Sequence, residues 1–289
     1  MKGVILAGGM GERLFPITRS ASKQLLPVYD KPMIFYPLCA LMRAGAREVL
    51  VIVRPGELER FRTLLDDGSQ WGMDIRYATQ DAANGIAEAP LIAAPFLDDE
   101  PFVLALGDNI FCGDGFDTSL AEAGDAPSKA AILVKQVADA GHYGVVEFDG
   151  KGRVVGIIEK PTSPPSDYAV TGMYFYDASA VEIARGLSPS GRGELEITDI
   201  NNAYLEAGDL SVVVLPDDVS WLDMGTPDGL LEAAQLVSAE QARIGERIGV
   251  PEHIALRNGW IDEAQLEKVA AAYGDNDYGR YLQTLIQGQ

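Results

Sequence analysis

The chain opens with short, unbroken apolar runs rather than alternating ones. Lys2–Ala7 (KGVILA), Glu48–Val53 (EVLVIV), Phe102–Leu106 and Ala130–Lys135 lack the polar-out rhythm of a half-solvated sheet. Runs of this kind predict strands buried on both faces, as in a parallel sheet. A shorter strand is predicted at Ile75–Ala78. Segments with helical spacing lie between them: Pro32–Ala44, closed by Gly45; Leu58–Leu65; Gly85–Ala94; and a small-residue helix before Ala130. Strands alternating with helices imply an α/β fold with a doubly wound, mostly parallel, Rossmann-like sheet.

The texture changes near residue 140. Tyr143–Phe148, Val154–Glu159 and Gly172–Tyr176 read as strands without long helices between them, which predicts a mixed or antiparallel extension of the sheet. Pro161–Pro165 (PTSPP) is a loop, Glu194–Ala207 a helix and Leu210–Leu215 a further strand. Residues 228–285 are mostly helical, interrupted at Gly249-Val250-Pro251 and Gly259. The expected organisation is a core over 1–227, whose second part is about 140–227, followed by a helical region over 228–289 for oligomer contact or regulation.

Composition narrows the class. Apolar residues make up 47% of 289, enough for a large buried core. No apolar run approaches the roughly 18 residues of a membrane span, and the apolar N-terminus is too short for a signal peptide. Cys39 and Cys112 form no disulfide framework or metal-ligand spacing, so a reduced, cytoplasmic protein is expected. A net charge of −20 repels nucleic acid and anionic membranes. The first 31 residues run against this trend. Lys2, Arg13, Arg19, Lys23 and Lys31 face only Glu12 and Asp30, which is +3 and leaves −23 for the rest of the −20 total. A local basic patch on an acidic protein suggests a small anionic ligand.

That patch surrounds Gly8-Gly9-Met10-Gly11-Glu12-Arg13-Leu14 at the end of the first strand. Glycines let backbone amides turn inward to form an anion nest, though a plain strand-to-helix turn would use them equally well. A phosphate-binding Walker loop would need a Gly-Lys-Ser/Thr ending, which is absent. A dinucleotide fingerprint would need glycine where Leu14 stands. Arg13 and Lys23, long cations just past the loop, suit a triphosphate. Asp108 follows the strand 102–106, at the strand end where open α/β sheets bind ligands. Asp223 lies beside Trp221 and Gly225. Two carboxylates completed by water and phosphate oxygens suit Mg²⁺, although either aspartate alone could be a cap or turn residue.

These segments resemble the sugar-1-phosphate nucleotidylyltransferases of the glucose-1-phosphate thymidylyltransferase type. The resemblance rests on Gly8–Leu14, Lys23–Pro27, Lys31–Ile34, Gly107–Phe111, Tyr143–Phe148, Glu159–Pro161, Gly193–Asp199 and Trp221–Thr226, and covers essentially the whole chain. It implies Mg²⁺-dependent transfer of a nucleotidyl group, dTTP first, to glucose 1-phosphate with release of pyrophosphate, in a homo-oligomer, by preference a tetramer. Asp108 and Asp223 would hold the metal. Arg13 would clamp the pyrophosphate end, and Lys23 would hold phosphate oxygens. Leu6, Gly8, Gly9, Gly11, Gln80, Gly85 and Asp108 would surround the nucleotide. Lys160 would bind the sugar phosphate with support from Arg192. Glu159, Gly144 and Val170 would hold sugar hydroxyls, with Asn109, Tyr143 and Trp221 around them. The attacking phosphate is already an anion, so His142 and His253 are expected to be structural or surface residues.

The departures are local. Gln80–Ala89 keeps the positions expected to read a pyrimidine edge but lacks both usual prolines and carries Glu88 where glutamine is usual. Glu12 replaces a threonine. A second nucleotide site, used for feedback in bacterial relatives, would here have Cys112 for a tyrosine and His253 for a glutamate, while keeping Gly113, Ile254 and Arg257. Weakened feedback is expected. Rival readings are a relative using UTP, ATP, GTP or a cyclitol phosphate, and a catalytically silent nucleotide-sugar-binding protein.

Overall fold

A computed structural model of the chain describes residues 1–287. The strands are β1 (Lys2–Ala7), β2 (Pro27–Val28), β3 (Lys31–Pro32), β4 (Glu48–Val53), β5 (Asp74–Thr79), β6 (Phe102–Leu106), β7 (Asn109–Cys112), β8 (Ala130–Gln136), β9 (Gly144–Phe148), β10 (Val154–Glu159), β11 (Tyr168–Tyr176), β12 (Leu210–Val214) and β13 (Ser220–Asp223). The helices are α1 (Phe35–Arg43), α2 (Leu58–Leu65), α3 (Glu88–Leu97), α4 (Phe116–Gly124), α5 (Ser179–Gly186), α6 (Ile197–Glu206), α7 (Pro227–Ile244), α8 (Pro251–Arg257), α9 (Glu263–Tyr273) and α10 (Asp277–Gln287).

Strands β6, β1, β4 and β5 lie side by side and parallel, the doubly wound half. The extension is mixed, as its texture predicts: β11 runs antiparallel to β6, β8 and β9, while β12 runs parallel to β8. Alternate residues of one strand feed two separate cores. Val49, Val51 and Val53 enter the layer with Leu38, Phe61 and Phe116, whereas Leu50 and Ile52 enter the layer with Ala93, Val181 and Ile200. Both faces of the sheet are thus covered, which is why β4 needs no polar side.

Several boundaries differ from expectation. The helix expected over 85–94 begins at Glu88, because Gly85 adopts φ 104° and cannot join it, and it runs on to Leu97, where Asp98 turns left-handed at φ 50°. The helix expected from Glu194 starts at Ile197, because Leu195 bonds to the loop at Asn84 and Ala87. The strand expected at 172–176 begins at Tyr168: Gly172 sits mid-strand because a Cβ there would lie 2.6 Å from the Asn109 side chain. Strands β2, β3, β7 and β13 and helix α5 carry no such signal in the sequence; each is short, and among the described residues β7 and β13 pair only with each other.

The C-terminal helices share the main core. Ala255, Ile261, Leu266, Ala270 and Leu282 are buried with Leu38 and Val51, and Ile254, Tyr281, Leu285 and Ile286 pack against them. The apolar stretches 254–261 and 281–286 are therefore largely used within one chain. Glu252 of α8 is fully buried, and its carboxylate accepts hydrogen bonds from the phenols of Tyr278 (2.6 Å) and Tyr273 (3.3 Å). No helix among the described residues is long and apolar enough to cross a membrane.

Candidate active site

The glycine loop and Asp108 stand at the ends of β1 and β6. After β1 the backbone swings through Gly8–Gly11 into a short 3₁₀ turn, Glu12–Leu14, with Gly11 left-handed at φ 63°. The amides of Gly9, Met10 and Gly11 donate to no group among the described residues. Adjacent free amides at such a turn form an anion-binding concavity. Thr18 braces the turn by donating to the Gly11 carbonyl at 2.8 Å. Leu6, at the end of β1, accepts from the Gly107 amide and so ties this loop to the one after β6. Glu12, the unusual acid of the loop, is exposed.

Beyond β6 the chain makes a two-strand ribbon, β7 with β13. Asp223 pairs with Asn109, and the Met224 amide donates to the Asp108 carbonyl at 3.0 Å. Two aspartates more than a hundred residues apart in sequence are thereby set side by side. Their electrostatics differ. Burial would raise the Asp108 carboxyl, but the Lys23 ammonium bonded to it outweighs burial and holds it below the usual range. Burial, reinforced by the Asp108 charge, pushes Asp223 up to about 6. One Asp223 oxygen, Oδ1, is buried without a hydrogen-bond partner, while the guanidinium of Arg13 stands 4.0 Å from the other. A pair of titratable groups pushed in opposite directions is a signature of functional sites.

These aspartates form one wall of a cavity of about 460 Å³ that also takes in Arg13, Asn109, Tyr143, Gly144, Glu159, Lys160, Val170 and Trp221. Trp221 donates its indole N–H to Asn109 at 2.5 Å and packs on Tyr143, ring centroids 4.8 Å apart. Lys160 directly follows β10 with φ 42°, a strained conformation for lysine that its amide supports by donating to the Tyr143 carbonyl at 2.9 Å. Its ammonium lies 3.7 Å from Glu159.

Arg192 does not line the cavity. It faces Glu196 at 2.9 Å, Glu194 at 3.2 Å and Glu159 at 3.5 Å, so its link to Lys160 runs through Glu159. Gln80 and Gly85 do not line this cavity: Gln80 lies against the glycine loop, where a Cβ on Gly8 would fall 2.3 Å from its side-chain oxygen, and its side-chain nitrogen donates to the Gly85 carbonyl at 3.2 Å. His142 stands at the cavity rim with an exposed side chain. Thr198, which donates to Glu159, and Thr171, Gly172 and Tyr174 of β11 also line the cavity and escaped the sequence reading. Nothing in their residue types marks them: Thr171 lies on the part of β11 that the sequence did not show, Gly172 and Tyr174 are placed by the packing of β11 against Asn109, and Thr198 by the first turn of α6.

A second cavity, about 290 Å³, lies between α1, β7 and α8 and gathers Cys112, Gly113, Asp114, His253, Ile254 and Arg257. The residues singled out for a feedback site are thus neighbours. Burial lowers the His253 pKa from its ordinary value.

Arg13, Asp108, Asp223 and Lys160 line one cavity, and the glycine turn leading into Arg13 leaves adjacent amides free, an arrangement that suits a phosphate-handling transferase. The chain belongs to the nucleotidyl transferase family, whose model matches residues 2–240. Over 286 residues it is 52% identical to the glucose-1-phosphate thymidylyltransferase of Xanthomonas campestris pv. campestris (strain B100), covering 99% of this chain and 97% of the relative. It is 49% identical over 287 residues to the enzyme of the same name from Mycobacterium tuberculosis (strain CDC 1551 / Oshkosh), covering 99% of each. A Bacillus anthracis chain assigned as a glucose-1-phosphate thymidylyltransferase and crystallised with sucrose superposes with a TM-score of 0.75 at 38% identity, over 82% of this chain and 94% of that one.

Proposed function

We propose that this protein transfers a thymidylyl group from dTTP to glucose 1-phosphate, releasing pyrophosphate. The observation that carries this reading is the convergence of Arg13, Asp108, Asp223 and Lys160 on one cavity beside the free amides of Gly9–Gly11. A sugar-phosphate oxygen bonds to the α-phosphorus of the triphosphate, and the bond to the bridging oxygen of the departing pyrophosphate breaks in line. No proton must be removed from the attacking phosphate, so the protein's task is positioning and charge neutralisation. The glycine amides and Arg13 hold the triphosphate oxygens. Lys160 holds the phosphate of the sugar phosphate, with Glu159 and the backbone at Gly144 and Val170 on the sugar hydroxyls. Tyr143 and Trp221 exclude water from one side.

The residues present fit a divalent cation. Asp223 offers a buried oxygen that no protein group satisfies, and Asp108 stands beside it already ionised. Mg²⁺ would complete its shell with water and phosphate oxygens, in keeping with the absence of a cluster of three or more acidic, histidine or cysteine groups among the described residues. When bound it would neutralise charge on the phosphates. In this reading 1–227 is the catalytic unit, its part from about 140 carries the sugar, and 228–289 serves oligomer contact or regulation. Tyr29, at the β2–β3 turn, and Leu231, on α7, are exposed apolar residues that suit a contact between copies in a homo-oligomer, a tetramer by preference. A strict monomer by light scattering at micromolar concentration would remove that part.

The deciding assay is pyrophosphate release from a panel of triphosphates and sugar 1-phosphates, with and without Mg²⁺. dTTP with glucose 1-phosphate should turn over fastest and only with metal. Preference for another pair, or release in the presence of a chelator, would overturn the assignment.

A further inference from the structure

We propose that Glu57 is a positioning residue for Lys23, fixing the backbone from which that cation reaches the phosphates; this rests on the nucleotidyl-transfer reading above. Arg13 and Lys23 stand on either side of a loop that exposes Phe15 and Ile17, and of residues 15–21 only Thr18 is buried. A segment with so little packing of its own is held by whatever bonds reach it. Thr18 ties the loop to the Gly11 carbonyl at the glycine end. At the lysine end, Glu57 Oε2 accepts from the Ser22 amide at 3.1 Å. Arg60 of α2 stands 3.2 Å from the same oxygen and donates to the Ser20 carbonyl.

Ser22 is 1% exposed, and its amide has no other acceptor among the described residues. A buried amide without a partner is costly, so this bond pins the chain at Ser22. Lys23 is the next residue and opens the 3₁₀ turn Lys23–Leu25, from which its ammonium meets Asp108. Where Ser22 is held thus sets where the ammonium starts. Glu57 is itself a firm reference. Its side chain is 14% exposed and lies between Arg60 and Arg54, whose guanidinium is 3.7 Å from Oε1. Arg54 directly follows β4, a strand paired on both sides, and Pro55, with its fixed φ, opens the turn Pro55–Glu57. Glu57 does not line the cavity, so it acts through Lys23 alone. Lys23 must serve Asp108 and a phosphate oxygen together. A loose Ser22 would let the ammonium follow Asp108 and abandon the phosphate.

Steady-state rates with dTTP and glucose 1-phosphate test this in the parent, Glu57→Ala, Glu57→Gln, Lys23→Met and the double variant of Glu57→Ala with Lys23→Met. Glu59→Ala, removing an acid of α2 whose side chain is 82% exposed, is the surface control and should match the parent. Glu57→Ala should lower kcat/KM for dTTP by about ten- to a hundredfold, with KM for glucose 1-phosphate within about twofold of the parent. Glu57→Gln should stay within about threefold of the parent, because a glutamine carbonyl in place of Oε2 still accepts from Ser22 and Arg60. On the Lys23→Met background the further loss from Glu57→Ala should shrink to about twofold, since one residue works through the other. Hydrogen exchange of the Ser22 amide, faster in E57A and unchanged in E57Q, reads the bond without turnover. A kcat/KM for E57A within about twofold of the parent, or the full further loss on the Lys23→Met background, would overturn the role of Glu57 and leave the transferase reading intact. Should E57A fail to fold, Arg60→Ala loosens the same loop from outside and should lower kcat/KM for dTTP by about threefold or more, and no change there would overturn the role equally. A parent that turns over no triphosphate with any sugar 1-phosphate would remove the transferase reading itself.

Discussion

Gly225 and Arg13 share a space that one methyl group would fill: a Cβ on Gly225 would lie 2.5 Å from the Arg13 guanidinium and 3.2 Å from the unpartnered oxygen of Asp223. The glycine is thus a clearance through which Arg13 reaches the aspartate. Gly225→Ala should displace the guanidinium by about an ångström and lower kcat by about a hundredfold, with the melting temperature nearly unchanged because Gly225 has no left-handed backbone to lose. A kcat within twofold of the parent would show that Arg13 works from another position.

Asp223→Asn should separate catalysis from stability. The folded-state pKa of Asp223 lies near 6, above the ordinary 3.8, so the folded chain retains a proton that the unfolded chain gives up. The ionised group therefore weakens the metal-free fold above pH 6, and this penalty fades as pH falls from about 6 to below 4. The variant should be more stable than the parent by about 1–3 kcal/mol at pH 7.5 in chelator, equal to it near pH 3.5, and almost inactive at pH 7.5 with Mg²⁺. Denaturant unfolding at the two pH values checks the sign. Equal stability at both would mean the carboxyl is not strained.

Asp108→Asn should do the reverse. Lys23 is 7% exposed and its ammonium rests on Asp108. Removing the negative partner leaves a buried charge, and the loss should be on the order of 3 kcal/mol in unfolding free energy along with turnover. A variant as stable as the parent at neutral pH would argue that Lys23 finds another acceptor.

Lys160→Ala and Arg13→Ala should fail differently. Losing Lys160 removes one charged contact, about 1.5–3 kcal/mol, and should raise the KM for glucose 1-phosphate ten- to a hundredfold with little effect on dTTP binding. Losing Arg13 should lower the single-turnover rate by about 10²–10³ with both binding constants nearly kept. Equal losses for both substrates in both variants would refute the division.

Feedback control should be weak. The second cavity presents Cys112 where an aromatic ring would stack and His253, whose pKa burial lowers, where a carboxylate would accept hydrogen bonds. The missing contacts should reduce effector affinity by on the order of 2–4 kcal/mol. Titration with dTDP-rhamnose reads this directly, and tight non-competitive inhibition would show that Arg257 and its neighbours compensate.

The parallel half of the fold was legible because its strands are buried on both faces and leave continuous apolar runs, as in β4. Strands β7 and β13 left no such trace: each is four residues long, and their pairing joins positions far apart in the chain. The site follows the same division. Arg13, Lys23 and Lys160 stand in contiguous motifs that local chemistry makes readable. Thr198 and Tyr174 do not, since their place at the cavity depends on how β11 and α6 cross the sheet. The role of Arg192 turned on its three carboxylate neighbours, and residue type alone does not specify which of several acids an arginine will meet.

The buried Glu252 makes the presence of α9 and α10 a condition for a sound core. Its two phenol donors come from α9 and α10. A product clipped after residue 262 would keep every group proposed for catalysis yet carry a bare carboxylate among apolar side chains, with Leu266 and Leu282 missing from their seats. Such fragments would be marked for aggregation or proteolysis. Truncations that reach α9 or α10 should therefore be chosen as though they bordered the catalytic core itself.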